Sequence, residues 1–194
     1  GVVMSGADAW RAPVVVAAVP WHALGDLFEG DTAAIADTLA AARGTSPSPI
    51  VTVNLWYDRP LFEEPFIGLP GREMQWAFDK RTVSGGAGFA ISLVSSGASS
   101  LTALSNAASV SVAHGELSQA LSTARGATLL RASVVREPRA TFSLAPGQPP
   151  RPQTKTEVRG LLLAGDWIDT GLPATIEGAV RSGHMAADAT EWCR

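Results

Sequence analysis

The stretch Leu161-Leu162-Leu163-Ala164-Gly165-Asp166-Trp167-Ile168-Asp169-Thr170-Gly171-Leu172-Pro173-Ala174-Thr175-Ile176-Glu177-Gly178-Ala179-Val180-Arg181-Ser182-Gly183 decides how this chain is read. Residues 160–164 form a short apolar run opened by a glycine, the mark of a buried strand. Gly165 and Asp166 then stand at its C-terminal edge, where open α/β sheets hold their ligands. Residues 165–172 are expected as a loop, and Pro173, with its fixed φ and missing N–H, suits the first turn of a helix. The free amides of such a turn, with the positive end of the helix dipole, attract anionic or electron-rich oxygen atoms. Gly178 and Gly183 remove side chains where the helix would press on a sheet or a cofactor.

Outward from this stretch, composition narrows the classes. The 194 residues are 46% hydrophobic, enough for a real core, and 15 basic against 18 acidic residues give a net charge of −3. That balance excludes nucleic acid as an expected partner. One cysteine, Cys193, forms no internal disulfide, and His22, His114 and His184 are too far apart for a local metal motif, so no metal is expected. The run Val14-Val15-Val16-Ala17-Ala18-Val19 ends at Pro20, well short of the ~20 residues of a membrane helix. No basic-then-apolar leader is visible, and a reducing, cytoplasmic setting is the expectation. The chain opens on Gly1 inside an apolar run, which reads as a piece of a longer protein.

The elements follow from periodicity. Residues 1–4 and 9–19, separated by Ser5-Gly6-Ala7-Asp8, read as a β-hairpin whose second run is a buried strand. Trp21, Leu24, Leu27, Phe28, Ile35 and Leu39 recur at helical spacing over 21–42, which predicts one or two amphipathic helices. Residues 50–57 alternate as a strand, and further strands are expected at 74–78 and 88–95 in an antiparallel meander turning at Gly85-Gly86. The Ala- and Ser-rich 102–124 reads as one weakly amphipathic helix, 132–136 and 140–144 as short strands, and the proline-rich 146–152 as an extended loop.

Taken together, the strand, the Gly-Asp pair and the helix carrying Glu177-Gly178-Ala179 and Ser182-Gly183 resemble the C-terminal flavin motif of the amine oxidase and phytoene desaturase superfamily. The version here, with Trp167-Ile168-Asp169-Thr170-Gly171-Leu172-Pro173-Ala174-Thr175, is most similar to the squalene-associated branch, whose members reductively dehydroxylate hydroxysqualene. Val14 to Pro20, Pro49-Ile50-Val51-Thr52-Val53-Asn54-Leu55 with Asp58-Arg59-Pro60, Gln75-Trp76-Ala77-Phe78-Asp79, and Arg136-Glu137-Pro138-Arg139-Ala140-Thr141-Phe142 also resemble that branch.

The resemblance implies an α/β plus β architecture. It is that of a two-domain, glutathione-reductase-like FAD-binding flavoprotein with a mixed-sheet substrate domain. Residues 1–20 and 157–194 would belong to the FAD domain and 21–156 to the substrate domain. FAD is the implied cofactor. Asp166 would accept a hydrogen bond from its ribityl or pyrophosphate region, and amides around Ala174, Thr175, Ile176 and Glu177 would face the isoalloxazine, with Gly165, Trp167 and Pro173 completing the site. An isoprenoid lipid is the implied substrate, collected at the surface of the inner membrane for hopanoid biosynthesis. A carotenoid or phytoene-type desaturase is the alternative on the same fold. The superfamily's Gly-x-Gly-x-x-Gly turn is not in this sequence, since Gly85-Gly86-Ala87-Gly88 lacks the spacing. A missing N-terminal half carrying that βαβ unit is therefore expected, and an inactive fragment is the rival from another class.

Individual residues carry two readings. An isolated Gly-Asp pair would make Asp166 a helix-approach carboxylate, whereas the surrounding motif favours cofactor contact. Glu177 reads equally as a buried partner of an arginine or as a first-turn acid. Trp56, Trp76 and Phe78, with Phe66 and Phe142, are candidates to line an apolar substrate tunnel, against the plainer reading as core. His22 is a candidate proton donor by position only. No catalytic residue is assigned.

Overall fold

The computed structural model describes residues 2–5, 8–85 and 88–191. The hairpin turn at Gly6-Ala7, the turn at Gly86 and Cys193 lie outside the described residues. The chain divides into two compact units, Gly1–Ser46 with Thr141–Arg194, and Pro47–Ala140. These divisions fall inside the span 21–156 expected for one domain. The physical reason is that Trp21, Leu24, Ile35, Leu39 and Ala42 bury their apolar surface in the same core as Leu163, Trp167 and Ile168, so 21–46 join the first unit.

In the first unit, β1 (Val2–Ser5) and β2 (Asp8–Arg11) pair antiparallel from Val2↔Arg11 to Ser5↔Asp8. The single long strand expected over 9–19 is instead two, because Pro13 has no N–H to give a ladder. Its second piece, β3 (Val15–Ala17), leaves β2 and enters another sheet. Two 3-10 turns, Trp21–Leu27 and Ala33–Ile35, lead into helix α1 (Ala36–Gly44), with the positive-φ Gly30 between the turns.

The second unit is a five-stranded sheet with helices on one face. It contains β4 (Pro47–Tyr57), β5 (Phe66–Gly68), β6 (Trp76–Asp79), the short helix α2 (Lys80–Ser84) and β7 (Phe89–Ser96). Helices α3 (Ser99–Thr102), α4 (Asn106–Ala120) and α5 (Ser122–Arg125) precede β8 (Leu129–Phe142), whose last residues pass into the first unit. The strand order is β5-β6-β7-β4-β8, and β4 with β7, β6 with β7 and β5 with β6 are antiparallel. Val51, Val53, Leu55 and Tyr57 alternate onto the buried face against Leu101, Ala113 and Leu117 of the helices. The helix expected over 102–124 is three helices: Ser105 caps α4 by accepting from the Ala108 N–H, and Leu121, extended, ends it. The two short strands expected over 132–144 are one strand of 14 residues, which tolerates Pro138 because β8 is a sheet edge.

Parallel pairing belongs to the first unit. There β9 (Leu161–Leu163) lies beside β3 in the register Val15↔Leu161 to Ala17↔Leu163, and helix α6 (Ile176–Ala189) follows. α6 turns Gly178, Ser182, Ala186 and Ala189 inward, small residues that let it lie close to β9.

Candidate functional site

The site is assembled at the C-terminal ends of β3 and β9. Beyond the ladder, the Ala164 amide donates to the Ala17 carbonyl at 3.1 Å, and the Trp167 indole N–H donates to the Val19 carbonyl at 2.9 Å. Trp167 is buried and folds back over Gly165. A Cβ at Gly165, whose φ is +145°, would sit 2.9 Å from the indole Cδ1, so only glycine fits. On its other side the Gly165 amide donates to Ser182 Oγ at 2.8 Å, and that hydroxyl donates to the Ala179 carbonyl at 2.7 Å. Ser182, fully buried, thus fastens the helix to the strand end.

Asp166 is half-buried at this junction. Burial is the largest influence on its carboxyl and raises its pKa above the ordinary value, against the opposing pull of its own and the Trp167 amides and of Arg151. The following loop is held from inside by Arg151. Its guanidinium donates to the carbonyls of Trp167 at 3.3 Å, Leu172 at 2.6 Å and Ile168, and to Thr170 Oγ1 at 3.4 Å, while lying 5.0 Å over the Phe142 ring. Sequence reasoning missed Arg151, whose partners lie 16 to 21 positions away. The available signal was a lone guanidinium, with its fork of donors, inside an otherwise uncharged proline-rich loop.

The helix starts at Ile176, not at Pro173. Thr175 provides the better start: its extended backbone lets Oγ1 accept the Gly178 N–H at 3.1 Å, the geometry of an N-cap. Pro173 stays in the loop, and its carbonyl lies where a Gly178 Cβ would approach to 2.9 Å. Gly178 therefore clears room for this chain's own loop. At Gly183 a Cβ would meet nothing within 4 Å among the described residues.

With Gly178 capped, the first-turn amides of Ile176 and Glu177 have no intrahelical acceptor. Ile176 is 87% exposed, Glu177 is exposed without an ion pair among the described residues, and Ala174 packs beside the core. Glu177 is thus a first-turn acid and not a buried partner of arginine. Arg181 and His22 are exposed.

Gly165, Asp166, Trp167, Pro173, Ala174, Thr175, Ile176 and Glu177 all lie on the one loop and helix start. Trp56, Trp76 and Phe78 lie in the other unit, on the sheet face opposite its helices, where Phe66 joins them. Phe142 is core of the first unit. A cleft of about 230 Å³ lined by Phe142, Leu144, Pro149, Arg151 and Trp167 is below the ~300–1,000 Å³ of ligand pockets.

The sequence profile described as flavin containing amine oxidoreductase matches residues 2–190, nearly the full chain. The chain belongs to this flavin-containing amine oxidoreductase family. Among curated relatives, it is 64% identical over 56 residues to a hydroxysqualene dehydroxylase of Rhodopseudomonas palustris, covering 28% of this chain and 13% of that protein. It is 41% identical over 64 residues to a 15-cis-phytoene desaturase of an Oncidium hybrid cultivar, covering 32% of this chain and 11% of that protein. In fold it is similar to an oxidoreductase from Methanosarcina mazei, with a TM-score of 0.68 at 14% identity over 94% of this chain and 44% of that one.

As in any member of a flavin-containing amine oxidoreductase family, the donors must suit a flavin, and here they do. Two first-turn amides without intrahelical acceptors start a 14-residue helix whose dipole favours electron-rich oxygens, and a half-buried carboxyl, Asp166, stands at the strand end that Ser182 ties to the same helix. A loop fixed from behind by Arg151 keeps these groups in place before any ligand arrives.

Proposed function

We propose that the protein to which this chain belongs is an FAD-dependent oxidoreductase that removes the hydroxyl group of hydroxysqualene reductively, giving squalene for hopanoid biosynthesis. The observation that carries the reading is the 64% identity, over 56 residues, to a protein named for that reaction. Bound in its reduced form, FAD would supply the hydride that replaces the departing hydroxyl, which leaves with a proton as water. The chain's own part is to hold. Asp166 accepts a hydrogen bond from a cofactor hydroxyl, and the Ile176 and Glu177 amides face its electron-rich edge. The β3–β9 pair keeps both at one end of the sheet. In the other unit, Trp56, Trp76, Phe78 and Phe66 offer an apolar surface to a long isoprenoid, whose binding energy comes almost wholly from buried area.

Partners follow the same reading: an isoprenoid lipid, and an N-terminal half of the same protein supplying the remaining cofactor contacts. We place the work on the cytoplasmic side of the inner membrane, met at its surface; no helix of the described residues is long and apolar enough to cross a bilayer. Similarity to a phytoene desaturase supports a second reading, carotenoid desaturation on the same framework. The full-length protein with chemically reduced FAD, incubated anaerobically, should convert hydroxysqualene to squalene and leave simple amines untouched. Desaturation of phytoene without action on hydroxysqualene selects the second reading, and amine turnover rejects both. Asp166→Ala should lower flavin occupancy, since it removes a charge-assisted hydrogen bond of about 1.5–3 kcal/mol. Equal occupancy in mutant and parent removes Asp166 from the site.

A further inference from the structure

One row of side chains crosses all five strands on the open face of the second unit's sheet. Phe66 on β5 pairs with Phe78 on β6, Phe78 with Ser92 on β7, and Ser92 with Asn54 on β4. Asn54 Nδ2 then reaches Ser133 Oγ on β8 at 3.3 Å. The first half of the row is aromatic: Phe66 stands 5.8 Å from Phe78 and 5.9 Å from Trp76, edge-on to the latter, and Phe66 and Trp76 are 50% and 45% exposed. The second half is a directed hydrogen-bond chain. The buried Ser92 hydroxyl donates to Asn54 Oδ1, and the Asn54 amide donates to Ser133 Oγ.

Among the described residues, the Ser133 O–H has no acceptor of its own. Each bond in such a chain polarises the next, so this last hydroxyl is the stronger donor for the two behind it. Beside it, the Arg131 guanidinium stacks 4.7 Å over the Trp56 ring, adding positive charge at the same end. At ~4.8 Å between strands, Phe66 and Ser133 are roughly 19 Å apart.

We propose that this row is a specificity site for a long-chain isoprenoid alcohol: the aromatic half holds the hydrocarbon body and the Ser133 hydroxyl donates to the alcohol oxygen. The proposal rests on the isoprenoid reading above and deepens it. A pure hydrocarbon would cover the same aromatic half but leave the donor at Ser133 unmatched, so the row discriminates by oxygen and not by length.

Equilibrium binding of farnesol, and of farnesene as the matching hydrocarbon, to the full-length protein that carries this chain would be followed by tryptophan fluorescence. The parent should bind the alcohol about fivefold more tightly, the effect of one neutral hydrogen bond. Ser133→Ala should abolish that preference while leaving hydrocarbon affinity unchanged, and Ser133→Thr, which keeps the hydroxyl, should retain it. Equal affinity for both ligands in the parent, or a preference that survives Ser133→Ala, overturns the polar end while leaving the isoprenoid reading standing. Failure of both ligands to bind overturns the isoprenoid reading and this proposal with it.

Discussion

The indole N–H of Trp167 is bonded to the carbonyl of Val19 across 148 positions of sequence. Val19 ends the apolar run that carries β3, and Trp167 opens the loop beyond β9, so one bond closes the two strand ends that bear the candidate site. Trp167→Phe keeps a buried aromatic ring but removes the fused pyrrole and leaves the Val19 carbonyl without its donor. It should lower stability by about 1–3 kcal/mol, read in a urea melt. A variant as stable as its parent would show that water replaces the indole.

Arg151 serves three carbonyls and a hydroxyl at once. Arg151→Met keeps an unbranched apolar stem and removes every donor together with the guanidinium that lies over Phe142. The expected loss is about 2–3 kcal/mol by thermal melting, with weaker flavin retention in the full-length protein. Arg151→Lys should rescue little, because one ammonium does not span the fork that these acceptors fit. Full rescue by lysine would reduce the role of Arg151 to charge alone.

The two motif glycines should behave in opposite ways. Gly178→Ala sets a Cβ against the Pro173 carbonyl and should cost about 1–3 kcal/mol. Gly183→Ala enters open space on a helix and should be neutral or stabilising by up to about 1 kcal/mol in this chain. Chemical denaturation of both variants checks the pair, and equal effects would contradict the geometry.

Tyr57 is the sole tyrosine, so its titration is read without interference. Burial pushes its phenol up to about 12, and its hydroxyl meets His114 Nδ1 at 2.9 Å. Because the folded value lies above the unfolded one of about 10, the neutral phenol contributes stability fully below pH ~10, and that contribution is lost as pH rises through about 12. Tyrosinate absorbance should therefore appear only near pH 12. Its appearance near pH 10 in folded protein would place Tyr57 in water.

The strand, loop and helix of 160–189 were legible because each rests on local signals: an apolar run, a Gly-Asp pair, small residues at helical spacing. The start of α6 was misplaced by three residues because Pro173 and Thr175 both carry start signals, and the side-chain cap outweighed the proline. The aromatic trio Trp56, Trp76 and Phe78 could be named as candidates, but their sharing of one face depends on the cross-strand register of β4, β6 and β7, which no single segment encodes. Arg151 and Ser182 act through contacts set by tertiary placement, which spacing does not reveal. The boundary at 46/47 escaped because the apolar face of 21–42 does not say which core will take it.

The second unit is one unbroken segment, whereas the first draws on both ends of the chain. That arrangement sets a clock on synthesis. Val19 leaves the ribosome 148 residues before Trp167, a wait of roughly 7–30 s at ~5–20 residues per second. Throughout it β3 lacks β9, and the edge of Val15-Val16-Ala17 that β9 will cover is a sticky template for other chains. The intervening 47–140 can complete its own sheet in that interval, since every strand of that sheet is already present. Slower translation across 141–160 would lengthen only the vulnerable phase of the first unit, making its yield, and not that of the second, the quantity sensitive to chaperone supply.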